Sequence, residues 1–167
     1  PMTTGFLAGV GVRDITPEPE LIDNSLHSCM TVRLHERGSP MRVKALALTF
    51  GSVRSLLLAV DLVSIGGDHQ KVLRQSVGDA VGLNVEDIVI SASHSHSTPF
   101  CEPLDGPHPF FDLILRQSVA AAQTAVQTQR SALFGHDTVH VVGASFNTRV
   151  PTADGGVEFS RDFRKGL

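Results

Sequence analysis

The sequence lacks any excess of positive charge: its 167 residues carry a formal net charge of −3 and an isoelectric point near 6.2. Its densest cationic cluster, Arg161, Arg164 and Lys165, lies at the C-terminal end and reads as a solvated tail. A phosphate-backbone footprint is thereby excluded, and nucleic acid is not the expected partner. No apolar run approaches the ~18–20 residues needed to cross a bilayer, so no transmembrane segment is expected. Pro1-Met2-Thr3-Thr4 has no basic n-region and no hydrophobic core. No secretory signal is visible there, and a cytoplasmic setting is expected, or a secreted one where a leader has been removed. Cysteine is almost missing. Cys29 and Cys101 form neither a Cys-x-x-Cys pair nor a disulfide framework and suit a reducing compartment; a bridge between them would close a long loop. Aromatics are scarce as well, with nine Phe and no Trp or Tyr, whereas His reaches eight.

What is present reads as one domain, residues 1–167, long enough to bury roughly two thirds of its unfolded surface. A first strand, Phe6 to Ile15, ends at Asp14-Ile15-Thr16-Pro17, where proline interrupts the ladder. A long loop to about Pro40 follows. Arg42 to Phe50, the turn signal Gly51-Ser52 and the apolar run Leu56 to Val63 predict a β-hairpin. Gly66-Gly67-Asp68 opens a helix with Asp68 as N-cap, an apolar face of Leu73, Val77, Ala80 and Val81, and Gly82 as C-cap. Ile88 to Ile90 is a short buried strand. The strongest helix carries a stripe of Phe111, Leu115, Val119, Ala122 and Val126, with Ile114 and Ala121 beside it. Leu133 to Val142 predicts a further strand, and Asp154-Gly155-Gly156 a hairpin tip. The fold class is therefore α/β: a mixed β-sheet flanked by helices.

The chemistry concentrates in Ser91-Ala92-Ser93-His94-Ser95-His96-Ser97-Thr98-Pro99. A buried strand delivers two histidines at i and i+2 to its C-terminal end, where ligands collect in open α/β sheets. In extended backbone both rings project to one face and address one centre. Imidazole is a common zinc ligand, but two surface histidines on a polar loop give the same spacing, so the pair alone leaves both readings open. The alternating serines are equally open, as ring-orienting acceptors or as turn caps. Asp61, ending a buried strand, reads either as a carboxylate orienting a ring or as a strand-end cap. Arg149 reads as a binder of a substrate carboxylate or as a solvated side chain. His136 and His140 share a strand face yet sit roughly 13 Å apart at ~3.3 Å per residue, too far for one cation. His136 reads as a turn residue and His140 as facing solvent. His108 reads as a helix-entry residue, and His27, His35 and His69 have no ligand spacing. Cys101 has no base of its own to make it a nucleophile.

Five short motifs occur in order: Gly9-Val10-Gly11-Val12-Arg13-Asp14-Ile15-Thr16-Pro17, Val43-Lys44-Ala45-Leu46-Ala47-Leu48, Ala59-Val60-Asp61-Leu62, Ser93-His94-Ser95-His96-Ser97-Thr98-Pro99, and Phe146-Asn147-Thr148-Arg149. In this order the chain resembles the N-terminal part of the catalytic domain of the neutral, non-lysosomal ceramidase family. Thr98 stands where that family has Gly, and Lys44 where Arg is usual. The resemblance implies a zinc-dependent hydrolase of an N-acyl amide such as ceramide, hence a small-molecule or lipid amide substrate. It implies His94 as the metal ligand and His96 as the group beside it that contacts the substrate or its oxyanion; ligation by both rings is the alternative. It also implies further zinc ligands, a His, a Glu and a Tyr, later in a longer chain. The expectation is the N-terminal part of a larger catalytic unit: a processed subunit whose site a second polypeptide completes, with a fragment of a longer chain or a different ligand set as the alternatives. Two other classes stay in view: a non-catalytic subunit or interaction module on the same scaffold, and a metal-dependent esterase or lactonase.

Overall fold

The structure, a computed structural model, describes residues 5–18, 20, 38–99, 109–143, 147–160 and 162. Cys29, Cys101, His27, His35, His108, Phe146 and the cluster Arg161, Arg164 and Lys165 lie outside them. The chain forms two compact units, residues 1–133 and 134–167.

The first unit is the expected α/β arrangement. It has β1 (Phe6–Asp14), β2 (Arg42–Phe50), β3 (Val53–Val60), α1 (Gly67–Val81), a 3-10 turn (Val85–Asp87), β4 (Ile88–Ala92), α2 (Pro109–Gln127) and β5 (Arg130–Ser131). The sheet order is β4-β3-β2-β1-β5. Its central three strands form an antiparallel meander, β4 joins β3 in parallel, and β5 pairs antiparallel with the start of β1. The mixed sheet follows from the connections. Gly51, in the left-handed conformation, allows the two-residue turn between β2 and β3, whereas a parallel β3–β4 pair needs the crossover that α1 supplies.

Strand alternation sorts the sheet into two unlike faces. One carries Val43, Ala45 and Ala47 of β2, Leu56, Leu58 and Val60 of β3, and Ile88 of β4, all buried with residues of both helices in one core. Gly9 and Gly11 stand on this face in register with Ala47 and Ala45. A Cβ on Gly9 would lie 2.0 Å from the Ala125 carbonyl oxygen, and one on Gly11 2.0 Å from that of Ala121. These two glycines therefore let α2 lie directly on β1. The opposite face bears a cross-strand row, Val10–Leu46–Leu57–Val89, in which Val10, Leu57 and Val89 are exposed.

The close approach of α2 also corrects the expected stripe. Its buried residues are Phe110, Phe111, Ile114, Ser118, Ala121, Ala122 and Ala125, while Leu115, Val119 and Val126 are partly buried flanks. Backbone contact at the glycines demands small residues at the centre of the face. Alanine wins there over the larger aliphatics, and hydropathy alone points about one position off.

The hairpin stands as expected, but its second strand runs Val53–Val60 rather than from Leu56 to Val63. In α1 the N-cap is Gly66 and not Asp68. Asp68 lies in the first turn, where its carboxylate accepts a hydrogen bond from Lys71 Nζ at 2.9 Å. The C-cap is Gly82 in the left-handed conformation, and Arg54 donates to the carbonyls of Val81 and Gly82 at 3.2 and 3.1 Å. Leu73 and Val77 are buried, as expected of that face, whereas Ala80 and Val81 are only partly so. His69 is buried, its ring edge-on to Phe111 at 4.2 Å.

The Asp-Ile-Thr motif closes β1. Thr16 N–H donates to Asp14 Oδ1 at 2.7 Å, Met41 N–H to Thr16 Oγ1 at 2.9 Å, and Ile15 N–H to the Met41 carbonyl at 2.9 Å. Ile15 enters the core. This motif ties the exit of one strand to the entry of the next.

In the second unit, β6 (Arg149–Pro151) and β7 (Val157–Phe159) form the expected hairpin. Thr152 N–H donates to the Gly156 carbonyl at 3.0 Å, and Gly155 adopts a positive φ of 83°. The Asp154 carboxylate accepts from the Thr152 hydroxyl and the Gly156 N–H, which hold its pKa below the usual carboxylate value. The expected strand from Leu133 to Val142 is absent: these residues form no ladder, and Leu133 and Val142 are 84% and 98% exposed. Strand propensity is realised only against a neighbouring strand or a packed face, and among the described residues this segment has neither. His136 and His140 are exposed on it. No helix among the described residues is long and apolar enough to cross a membrane.

Candidate functional site

The site grows from the parallel β3–β4 pair, where both strands end at the same level: Val60 is in register with Ala92. Beyond it, two loops run on side by side. Ser93 N–H donates to the Val60 carbonyl at 3.0 Å and His94 N–H to that of Leu62 at 2.9 Å. The sheet's hydrogen bonding is carried two residues past the last strand residue, so His94 is delivered to a fixed place.

The rings converge for a different reason than expected. The strand stops at Ala92, and His94 has φ 60°, the one non-glycine residue with positive φ among those described. A left-handed residue reverses the chain, so the extended i, i+2 alternation does not apply. The turn at His96 and Ser97 brings the second ring back instead. His94 Nε2 and His96 Nε2 lie 3.4 Å apart, with the rings at 88° and their centroids 4.8 Å apart. Such left-handed backbone in a non-glycine residue costs energy that the surroundings must offset, and it gathers at functional sites.

The ring of His94 is oriented by the protein. Its Nδ1 lies 2.9 Å from the Val63 carbonyl oxygen. A carbonyl only accepts, so Nδ1 carries the proton and Nε2 presents its lone pair. In the observed contact His96 Nε2–H is then the donor and His94 Nε2 the acceptor. Backbone carbonyls that fix a histidine tautomer in this way are typical partners of metal-ligating imidazoles. The 3.4 Å separation is also that of two nitrogens each ~2.0–2.1 Å from one tetrahedral zinc, which belongs to the alternative in which His96 Nε2 gives up its proton and ligates too. Among the described residues no group of three or more His, Cys, Asp or Glu gathers around a common point. The pair is thus at most half of a ligand set, and both residues are exposed.

The other predicted residues fall as follows. Asp61 Oδ2 accepts from Arg42 N–H at 2.9 Å, and Asp61 N–H donates to the Arg42 carbonyl at 3.0 Å. Among the described residues its carboxylate hydrogen-bonds neither ring, and its observed work is to cap the strand end. Arg149 is exposed on β6 in the second unit, where its N–H donates to Asn147 Oδ1 at 2.9 Å. Sequence reasoning assigned nothing to Leu62, Val63 or Thr98. Leu62 and Val63 supply carbonyls, which leave no mark in side-chain identity. Thr98 is buried, and its hydroxyl donates to the Ser95 carbonyl at 2.8 Å; its departure from the motif's usual Gly was the available signal.

No protein-family model matches the sequence, and no curated protein matches it. Solved structures do. A ceramidase complexed with C2 aligns with a TM-score of 0.59 and 19% identity, and the neutral ceramidase from Pseudomonas aeruginosa with 0.60 and 20%. Each alignment covers 75% of this chain and 22% of the other, so the chain spans about a fifth of their length. Over three quarters of its residues, the chain has the fold of a segment of the neutral ceramidases.

Proposed function

We propose that this chain supplies part of the active site of a ceramidase-like hydrolase, with zinc held by His94 Nε2 and an amide bond as its target. The observation that carries the reading is the convergence of two imidazole Nε2 atoms at 3.4 Å, with the His94 tautomer set by the Val63 carbonyl, on the fold shared with neutral ceramidases. Zinc, when bound, supplies a Lewis acid for the scissile carbonyl and makes its water more acidic. His94 holds its lone pair outward and its Nδ1 proton inward. His96, whose Nε2–H points to the same place, donates to the oxygen that gains charge as the carbonyl is attacked, as preorganised donors do. Asp61 would steady the ring loop through the end of β3, where it is bound to Arg42. A small-molecule or lipid amide fits this chemistry.

Among the described residues no third ligand stands beside the pair; a second polypeptide carrying the remaining ligands is part of this proposal. Equilibrium dialysis of the chain together with its partner against Zn²⁺, with metal counted per chain, tests the assignment. We expect wild-type binding that is lost in His94→Ala and retained, though weakened, in His96→Ala. Zinc uptake no higher than the His94→Ala background would refute it and favour a non-catalytic subunit. Equal loss in both variants would instead make His96 a second ligand and point to a metal-dependent esterase or lactonase arrangement. With the partner present, cleavage of a fluorogenic N-acyl amide should fall at least tenfold in His96→Ala, in line with the ~10²–10³ typical of an oxyanion donor.

A further inference from the structure

We propose that Thr98 is the positioning residue of the histidine pair: its hydroxyl closes the Ser95–Thr98 turn and so holds the His96 ring against His94. This rests on the reading of the pair as the functional site.

The two histidines are not held alike. His94 is tethered twice, through its N–H to Leu62 and through Nδ1 to Val63. Among the described residues, His96 has a single hydrogen-bond partner, the ring of His94. Its backbone therefore takes its direction from the turn in which it sits. That turn is closed by Thr98 Oγ1–H donating to the Ser95 carbonyl at 2.8 Å. A carbonyl fixed in this way fixes the plane of the Ser95–His96 peptide, and with it the direction in which the His96 side chain leaves the backbone. Thr98 is suited to the task because it is anchored: only 5% of it is exposed, so its methyl and hydroxyl cannot swing freely. Ser93 and Ser97, by contrast, are exposed, and the Ser93 hydroxyl reaches only 3.5 Å from the Leu62 carbonyl. A hydroxyl at this place does for the turn what the neighbouring loop does for His94. The chain thereby pre-sets both Nε2 atoms, and neither waits for a ligand to order it.

The test uses the isotope-labelled full chain and compares Thr98→Val, which keeps shape and removes the hydroxyl, with Thr98→Ser, which keeps the hydroxyl. Two readouts are followed: the inter-ring nuclear Overhauser effect between His94 and His96 without metal, and, with the partner polypeptide present, the affinity for Zn²⁺ by competition with a chromogenic chelator. Wild type and Thr98→Ser should show the inter-ring signal. Thr98→Val should lose it and bind Zn²⁺ about tenfold more weakly, the lower end of what removing an orienting partner does. An inter-ring signal retained in Thr98→Val overturns the proposal, and so does its loss in Thr98→Ser. If Thr98→Val does not fold, Thr98→Ala replaces it. Unfolding of both also overturns the proposal, since the hydroxyl then serves the core. Should His94→Ala bind Zn²⁺ as tightly as wild type, the zinc reading fails, while the ring signal still decides the role of Thr98.

Discussion

His94 joins the fold to the chemistry, and its backbone gives the sharpest prediction. With φ at 60° it sits where an L-residue pays about 1–2 kcal/mol through contact of Cβ with the following carbonyl. Two hydrogen bonds offset that cost: His94 N–H to Leu62 and Nδ1–H to the Val63 carbonyl, each at 2.9 Å. A neutral hydrogen bond of this kind contributes about 0.5–1.5 kcal/mol net. His94→Ala keeps the left-handed cost and loses the ring bond, so it should be less stable than wild type by about 1 kcal/mol. His94→Gly loses the same bond but sheds the Cβ contact, against roughly 0.5–1 kcal/mol of extra freedom in the unfolded chain; it should lie near wild type. The expected order is therefore His94→Gly above His94→Ala by about 1 kcal/mol, or ~2–4 °C in Tm for a chain of this size. Urea unfolding in the presence of a chelator reads this as a displaced midpoint at unchanged slope. His94→Ala equal to or more stable than His94→Gly would refute the left-handed turn, and with it the explanation of why the rings meet.

Three further outcomes follow from the packing and the charges. Gly11→Ala should destabilise by about 2 kcal/mol or more, since its Cβ would meet the Ala121 carbonyl oxygen at 2.0 Å in a backbone contact that cannot give way; Gly67→Ala, with nothing within 4 Å, should be neutral or slightly stabilising in the same urea experiment. Ser118 is fully buried on α2, and its hydroxyl has no partner among the described residues, so Ser118→Ala should raise stability by about 1 kcal/mol. The hydrogen bond from Lys71, and after it the Lys71 charge, hold the Asp68 carboxyl below its ordinary 3.8. The stabilisation is present above that value and is lost as pH falls through the lower folded pKa. An NMR titration should place the Asp68 midpoint lower in wild type than in Lys71→Ala.

Much of this protein was legible in its sequence because the cues were local. The Gly51-Ser52 and Asp154-Gly155-Gly156 turns, the Gly82 cap and the existence of both helices follow from backbone preferences that act over a few residues. The histidine pair was legible as well, since two imidazoles beyond a buried strand are a chemical signal in themselves. Tertiary structure decided what depends on neighbours distant in the chain. Small residues at Ala121 and Ala125 face the helix-contacting side of β1 because Gly9 and Gly11 bring two backbones together, a constraint of size that hydropathy does not record. The Leu133 to Val142 segment has the composition of a strand and forms none, because a ladder requires a second strand at ~4.8 Å. The rings of His94 and His96 meet through a left-handed turn held by the carbonyls of Leu62 and Val63. Those carbonyls come from residues some 31 positions away and belong to the backbone, which every sequence has alike; only the pairing of β3 with β4 brings them there.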